Sequence, residues 1–402
     1  MKPMTIRPGV YPVGAVDWDR RLFDALVPLP DGTSYNSYLV QGSEKTALID
    51  TVDPSKQGVL LEHLKELDIK NIDYVVSHHA EQDHSGALPM VLAEYPGAKI
   101  VCSQKCKGML IDHLMIPEDR FITVADYETL SLGNRTLEFI YTPWVHWPET
   151  MVTYLREDKL LFTGDFFGSH LATSDLYVVD EGQAYESAKR YFAEIMMPFR
   201  TNIQRNLDKL RNYTIDVIAP SHGPLYNRPE FILKLYHSWV FDEPDSVAVI
   251  AYVSMHGTTQ KMVEYMTEAL SQKGVCVKQF DLVEVDIGKL AMALVDAATL
   301  VVGTPTVLAG LHPKVAYAAI LANALRPKLK FATAIGSYGW GGKAIEQQQS
   351  LVPNLSVEFL APVLVKGFPR EADFVALDNL ASLIAEKHKV LPMPSSWHIS
   401  RV

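Results

Sequence analysis

Cysteine is nearly absent. Cys102, Cys106 and Cys276 are the only three in 402 residues, too few for a disulfide framework and in keeping with a reducing, cytoplasmic setting. No apolar run approaches the roughly 20 residues that a membrane helix needs, so no membrane partner is expected. The opening stretch MKPMTIRPGVYPVG lacks the apolar centre of a signal peptide. Basic residues number 37 against 47 acidic ones, and the net charge of −10 argues against nucleic acid, whose phosphates want a basic surface. Repeats and low-complexity tracts are missing as well. What remains is ordinary globular material, 48% hydrophobic and 21% charged, in a chain too long for one core. The unusual feature is histidine: 13 are present, nine of them before residue 247.

A polar, proline-containing stretch, Phe241–Ser246, precedes the apolar run Val247–Val253, which divides the chain into expected domains 1–245 and 246–402. Upstream, β-branched runs predict strands at Ser37–Val40, Thr46–Asp50, Tyr74–Ser77, Lys99–Cys102, Thr136–Tyr141, Met151–Leu155 and Lys159–Thr163. Helical spacing interrupts them at Ser55–Leu67, Ala87–Glu94 and Glu186–Arg211. Cys102 and Cys106 read as neighbours at a helix start, with a structural role. Downstream the pattern is cleaner. Strands are expected at Val247–Val253, Val275–Asp281, Thr299–Gly303, Phe331–Gly336 and Val357–Val365, with helices at Thr259–Lys273 and Ala372–Lys387. Five strands in about 155 residues is the content of a doubly wound parallel sheet.

The strand Tyr74–Ser77 runs into His78-His79-Ala80-Glu81-Gln82-Asp83-His84. Within it, His79, Glu81, Asp83 and His84 pack four potential metal ligands into six positions, a density that chance gives in about one chain in a thousand. Further candidates stand where apolar runs end: His146, Asp165 and His222. His78 competes with His79, and His170 stands five residues after Asp165. His63, His113 and His237 carry no such context.

This spacing resembles the metallo-β-lactamase superfamily, an αββα sandwich with a dinuclear site at one edge of its sheets. Asp50, in Ala47-Leu-Ile-Asp-Thr-Val52, matches that family's supporting aspartate, and His79 rather than His78 has the family spacing to Glu81. The family's zinc hydrolases carry histidine where Glu81 stands. The substitution leaves four imidazoles and three carboxylates, and added anionic oxygen favours a redox-active ion such as iron over zinc. The resemblance implies two irons: His79, Glu81 and His146 on one, Asp83, His84 and His222 on the other, and Asp165 between them.

The second half holds three loops at expected strand ends: Ser254-Met255-His256-Gly257-Thr258-Thr259, Thr304-Pro305-Thr306, and Ser337-Tyr338-Gly339-Trp340-Gly341. Hydroxyls and exposed N–H groups ahead of a helix form a cradle for phosphate, and Tyr338 and Trp340 offer flat faces for a ring. No GxGxxG fingerprint is present, which favours a mononucleotide over NAD. This half resembles flavodoxin, with these loops as its FMN site and His256 where relatives carry an aromatic.

An αββα metallo-β-lactamase-like sandwich followed by a flavodoxin-like doubly wound parallel sheet resembles the flavodiiron proteins. An α/β and α+β two-domain oxidoreductase is thereby implied. It would reduce O2 to water, NO to N2O, or both, with electrons relayed through FMN to the iron pair. Rubredoxin domains, which some members append, need paired CxxC motifs that this sequence lacks, so rubredoxin or a reduced deazaflavin is expected as a separate donor. A head-to-tail homodimer, or a dimer of dimers, is implied too. Trp147, Met151 and Tyr191 are the candidates for tuning gas preference. Two rival readings remain: a zinc hydrolase with a flavodoxin-like regulatory domain, and a flavin carrier with a decayed first domain. Glu81 counts against the first and an intact ligand set against the second.

Overall fold

The computed structural model describes residues 4–394. The chain forms two compact units, one built from residues up to Phe192 with Phe199–Val240, the other from Ala193–Pro198 with Phe241 onward.

The first unit contains two sheets. One has six strands in the order Val10–Pro12, Tyr38–Gln41, Thr46–Ile49, Tyr74–Val76, Lys99–Ser103, Phe121–Val124. The other has five: Thr129–Ser131, Thr136–Tyr141, Met151–Leu155, Leu160–Gly164, Val217–Pro220. Period-two alternation explains why the first sheet is buried on both faces. Ala47, Ile49, Val76 and Val101 point into a core shared with Phe139, Leu160 and Phe162 of the second sheet. Leu48, Val75, Ile100 and Cys102 point the other way, against Leu60 and Leu64 of helix Gln57–Glu66 and Leu110 of helix Gln104–Leu114. The result is a sandwich whose sheets meet in the middle.

The second unit is a parallel sheet in the spatial order Cys276–Asp281, Asp245–Tyr252, Ala297–Val307, Phe331–Tyr338, with Glu358–Phe359 and Val363–Lys366 both on the last strand. In chain order that is 2-1-3-4-5, the flavodoxin-like winding. Val247, Val249 and Ala251 face helices Ile287–Asp296 and Pro313–Leu325. Ala248 and Ile250 face Thr258–Gln272 and Glu371–His388.

Four local expectations change. The predicted helix Glu186–Arg211 is two helices, Glu181–Tyr191 and Arg200–Leu210, joined by a π turn and a 3-10 turn. Pro198 lies in that joint, where its missing N–H and ring prevent a continuous α-helix. The predicted strand Val357–Val365 is interrupted between Phe359 and Val363, and Pro362 stands in the gap. Cys102 ends up in strand Lys99–Ser103 while Cys106 opens a helix capped by the Ser103 hydroxyl, so the two do not share a helix. Finally, the strand predicted to end at Gly303 continues to Val307, because Thr304 and Pro305 pair with Gly336 and Ser337 and Thr306 pairs with Leu311. No helix among the described residues is long and apolar enough to cross a membrane.

Candidate metal centre and flavin loops

The ligand-rich string leaves strand Tyr74–Val76 as a short loop and ends in the single-turn helix Gln82–Ser85, which carries Asp83 and His84. Both ends of the string are pinned by the residues that follow strand Thr46–Ile49. Asp50 accepts from the His78 N–H at 2.9 Å and holds its Nδ1 at 2.6 Å. Thr51 donates its N–H to the His84 carbonyl at 2.8 Å, and its hydroxyl donates to the same oxygen. His78 therefore points away from the cluster, with Nε2 on the Thr153 hydroxyl at 2.9 Å. His79, the next residue, points the opposite way and joins it.

His146 comes from the loop between strands Thr136–Tyr141 and Met151–Leu155, closed by Thr142 N–H on Thr150 O and Trp144 N–H on Trp147 O. Asp165 follows strand Leu160–Gly164, whose register slips between Phe162 and Gly164. Gly164 has φ +55°, and a Cβ there would sit 3.3 Å from the Cβ of His78, so this turn is tight as well as left-handed. His222 follows strand Val217–Pro220, and the Asn36 amide grips the chain on both sides of it, at Pro220 O and Gly223 O, each 2.8 Å.

All seven candidate ligands converge. His79, Glu81, His146 and Asp165 form one group and Asp83, His84 and His222 a second. Every imidazole presents Nε2. Asp165 faces both groups: Oδ2 lies 3.3 Å from His79 and 3.0 Å from His146, while Oδ1 lies 2.9 Å from His84 and 3.4 Å from His222. Glu81 Oε2 lies 3.3 Å from His79 and 2.9 Å from His146, and Asp83 Oδ2 lies 3.2 Å from both His84 and His222. Both oxygens of Asp83, Oδ1 of Asp165 and Nε2 of His84 are buried without a hydrogen-bond partner, although opposite charges stand within reach. Donor atoms that crowd two common points, several of them buried with no hydrogen-bond partner, fit a cation at each, and the mixture of imidazole and carboxylate suits iron. The His222 Nδ1 sits 2.6 Å from the Ser34 carbonyl, and donating there leaves the Nε2 lone pair facing inward. Glu81 and His146 are half-buried and the other five are buried, so the cluster opens on the Glu81–His146 side.

Without a metal, the charges compensate through protons. Burial alone would lower His79, but the Asp165 charge and hydrogen bonds with Asp165 and Glu81 carry it up to about 10. His146 follows the same logic to about 9, and His84 is also raised. Burial works against Asp83 and Asp165 too, yet the surrounding imidazoles hold both carboxyls low. A metal must displace these protons. Uptake of ferrous iron by the apoprotein at pH 7 should therefore release two or more protons per chain, measurable in weakly buffered solution. Apparent affinity should rise with pH until about 9–10. By the same sign, the proton-bearing cluster favours the apo fold below pH ~6.5 and that contribution is lost as pH climbs through 9–10. Uptake without proton release would contradict this charge balance.

Of the other histidines, His63 has its Nδ1 on the Val13 carbonyl and His113 is exposed at the edge of Trp147. His170 is buried beside the second group, its ring 4.9 Å from His222 and 4.8 Å from Tyr191, with Nδ1 2.9 Å from the Thr33 hydroxyl. Burial holds it well below the usual imidazole range, so it stays neutral. Trp147 stands edge-on to His79 and His146. Met151, expected near the site, lies in the core between the sheets. Thr51, Ser34 and Asn36 were not legible as site residues, because they act on backbone atoms remote in sequence.

In the second unit the loop Ser254–Thr259 follows strand Asp245–Tyr252 and starts helix Thr258–Gln272. Gly257 caps it at φ +80° with no side-chain cap bond. The Ser254 hydroxyl accepts from Gln260 N–H at 3.1 Å, and the Thr259 hydroxyl is buried without a partner. Uncapped N–H groups and an orphaned hydroxyl fit an anionic group. Met255, His256 and Gly257 are exposed. Thr304, Pro305 and Thr306 lie within the extended strand rather than in a loop, as do Ser337 and Tyr338, at the carboxyl edge of the sheet. Gly339, Trp340 and Gly341 follow, with Trp340 80% exposed, a ring free to stack.

Residues 33–223 match the ODP family beta lactamase profile and residues 250–376 match flavodoxin. The chain is 36% identical over 395 residues to a nitric oxide reductase of Moorella thermoacetica, covering 96% of this chain and 99% of that one. It is 31% identical over 403 residues to an anaerobic nitric oxide reductase flavorubredoxin of Escherichia coli, covering 98% and 84%. Among solved structures, rubredoxin oxygen:oxidoreductase from Desulfovibrio gigas superimposes with TM-score 0.92 at 30% identity, covering 96% of this chain and 99% of that one. The flavodiiron protein of Giardia intestinalis gives 0.86 at 28%, covering 98% and 99%. Fold and site thus define an oxidoreductase with a β-lactamase-like and a flavodoxin-like domain. The chain belongs to the flavodiiron protein family.

Proposed function

We propose that residues 1–245 hold two irons and residues 246–402 hold FMN, and that the chain reduces O2 to water, NO to N2O, or both. The observation that carries this reading is the position of Asp165, whose two oxygens face two separate ligand groups of a seven-residue cluster that includes Glu81. His79, Glu81, His146 and Asp165 would hold one iron, and Asp83, His84, His222 and Asp165 the other. Bound there, iron supplies reversible one-electron chemistry and FMN accepts electrons from a donor and passes them on. Reduction of O2 to two waters takes four electrons and four protons; two NO give N2O and water with two electrons and two protons.

The chain's own residues then do three things. Asp50, Thr51, Ser34 and Asn36 fix the ligands before any gas arrives. Burial of five ligands excludes bulk water, and the partly exposed Glu81–His146 side, where those side chains are 12% and 14% accessible, leaves a small molecule a way in. The uncapped N–H groups at Gly257–Thr259 would hold the FMN phosphate, with Ser254, Met255, His256 and Thr258 around it. Thr304–Thr306 and Ser337–Gly341 would flank the ring. A separate donor, rubredoxin or a reduced deazaflavin, a head-to-tail homodimer or dimer of dimers, and a cytoplasmic location complete the reading. It is supported by the oxidoreductase names of the relatives and by the family's architecture.

The test is compositional and then functional. Protein purified from iron-replete cells should carry about two irons and one FMN per chain. Anaerobic reduction followed by separate O2 and NO titrations should show turnover with at least one gas. Stoichiometric zinc without iron, and no gas consumption, would restore the hydrolase reading.

A further inference from the structure

Glu149 is a buried carboxylate that none of the proposed chemistry uses. It is 4% exposed. Its Oε1 accepts from the Ala80 N–H at 3.0 Å, and its Oε2 is buried with no partner. Its own carbonyl accepts from the Ser103 hydroxyl at 3.1 Å, and that hydroxyl also accepts from Cys106 N–H at the start of helix Gln104–Leu114. Burying a carboxylate for one neutral N–H is costly, and an apolar side chain could fill the same space at less cost. The position explains the choice. Ala80 stands between His79 and Glu81, while Glu149 belongs to the loop that carries His146, closed by Thr150 on Trp147. One hydrogen bond therefore ties together the two chain segments that supply His79, Glu81 and His146.

The other group shares one contact with this segment, the Ser85 hydroxyl donating to the Ala80 carbonyl at 2.8 Å, and is otherwise held by different residues. Thr51 fixes the His84 carbonyl, and Ser34 and Asn36 fix His222 and its flanks.

We propose that Glu149 is a positioning residue chiefly for one metal of the pair: it sets the spacing of His79, Glu81 and His146, while Asp83, His84 and His222 keep their own anchors at Thr51, Ser34 and Asn36. This rests on the reading of the seven side chains as ligands to two irons.

The experiment compares wild type, Glu149→Gln, Glu149→Asp and Glu149→Leu as full-length protein. Iron and FMN content, the rate of iron release to a ferrous chelator, and the electron paramagnetic resonance of the oxidised protein are measured. Gln keeps an acceptor at the right reach and should retain two irons. Asp keeps the charge but falls one carbon short, and Leu has no acceptor. Both should release one iron at least about tenfold faster than wild type, the range seen when outer contacts to metal ligands are removed. Iron should fall toward one per chain, with FMN unchanged and an uncoupled high-spin signal from the remaining iron. If Leu fails to fold, the Gln–Asp pair decides alone. Two irons leaving Asp at the wild-type rate, or both leaving together, would overturn the proposal. Absence of iron from wild type would instead overturn the reading beneath it.

Discussion

Asp165→Asn should yield a folded protein that keeps FMN and loses stable iron from both positions. The substitution is nearly isosteric, so the tight turn at Gly164 and the Gly168 N–H bond to the Asp165 carbonyl remain. What changes is charge and donor type. One oxygen of Asp165 faces His79 and His146 and the other faces His84 and His222, so each group loses an anionic ligand, and one acquires an amide N–H instead. Loss of a contact that merely orients a ligand weakens metal binding by about 10–100-fold, and a side chain shared by both metals should exceed that at each. The apoprotein changes too. The Asp165 charge is the chief force lifting His79, so proton release on iron addition should shrink. Metal analysis and an O2 or NO electrode suffice to check this. Two tightly held irons in the variant would show that Asp165 is not shared between the groups.

Glu81→His should change which metal is held rather than whether one is. Three carboxylates and four imidazoles become two and five, which withdraws anionic oxygen from the ion that must reach the ferric state. Glu81 stands at the least buried side of the cluster, and imidazole is close to it in volume, so the exchange changes charge and donor type more than packing. When the protein is expressed with iron and zinc both supplied, the zinc fraction should rise and gas turnover fall by about tenfold or more, equivalent to at least about 1.4 kcal/mol at the transition state. FMN content should be unchanged, since Ser254–Thr259 belongs to the other unit. Wild-type iron content together with wild-type turnover would show that the carboxylate at this position does not select for redox chemistry.

How much of this was written legibly in the sequence depends on how local each interaction is. The long strands of both units follow from apolar runs and alternation, and the βαβ rhythm of the second half marks a doubly wound parallel sheet; the order of its strands is a property of the folded chain. Strands of two or three residues, such as Ala15–Asp17 and Leu22–Phe23, carry too little pattern to be read and depend on their pairing partners. Helix Pro229–Phe241 was passed over although its buried Ile232, Tyr236, Trp239 and Val240 follow helical spacing. The seven cluster residues stood out because metal ligation needs a dense choice of residue types. Choosing His79 over His78 took a family spacing. The structural reason is simpler: the chain bends at His78, past the end of the strand, so that His78 turns to Asp50 and His79 to the cluster. Thr51, Ser34, Asn36 and Glu149 escaped notice because each bonds a backbone atom or a ligand between about 30 and 190 positions away, and no pattern along the chain marks such a bond.

The last ligand is delivered by strand Val217–Pro220, which pairs in parallel with Leu160–Gly164 across more than fifty intervening residues. Pairing over such a separation carries a loop-closure cost in chain entropy that nearer contacts and bound ligands can offset. During synthesis, the first 200 residues can assemble the six-stranded sheet and present Glu81, Asp83 and His84, but they cannot complete the cage. With irons held as proposed, His79 and His222 would be linked through the two ions and Asp165 between them, so the loaded protein should resist unfolding more than the apoprotein. Iron supply would then bear on the stability of the fold as well as on its activity.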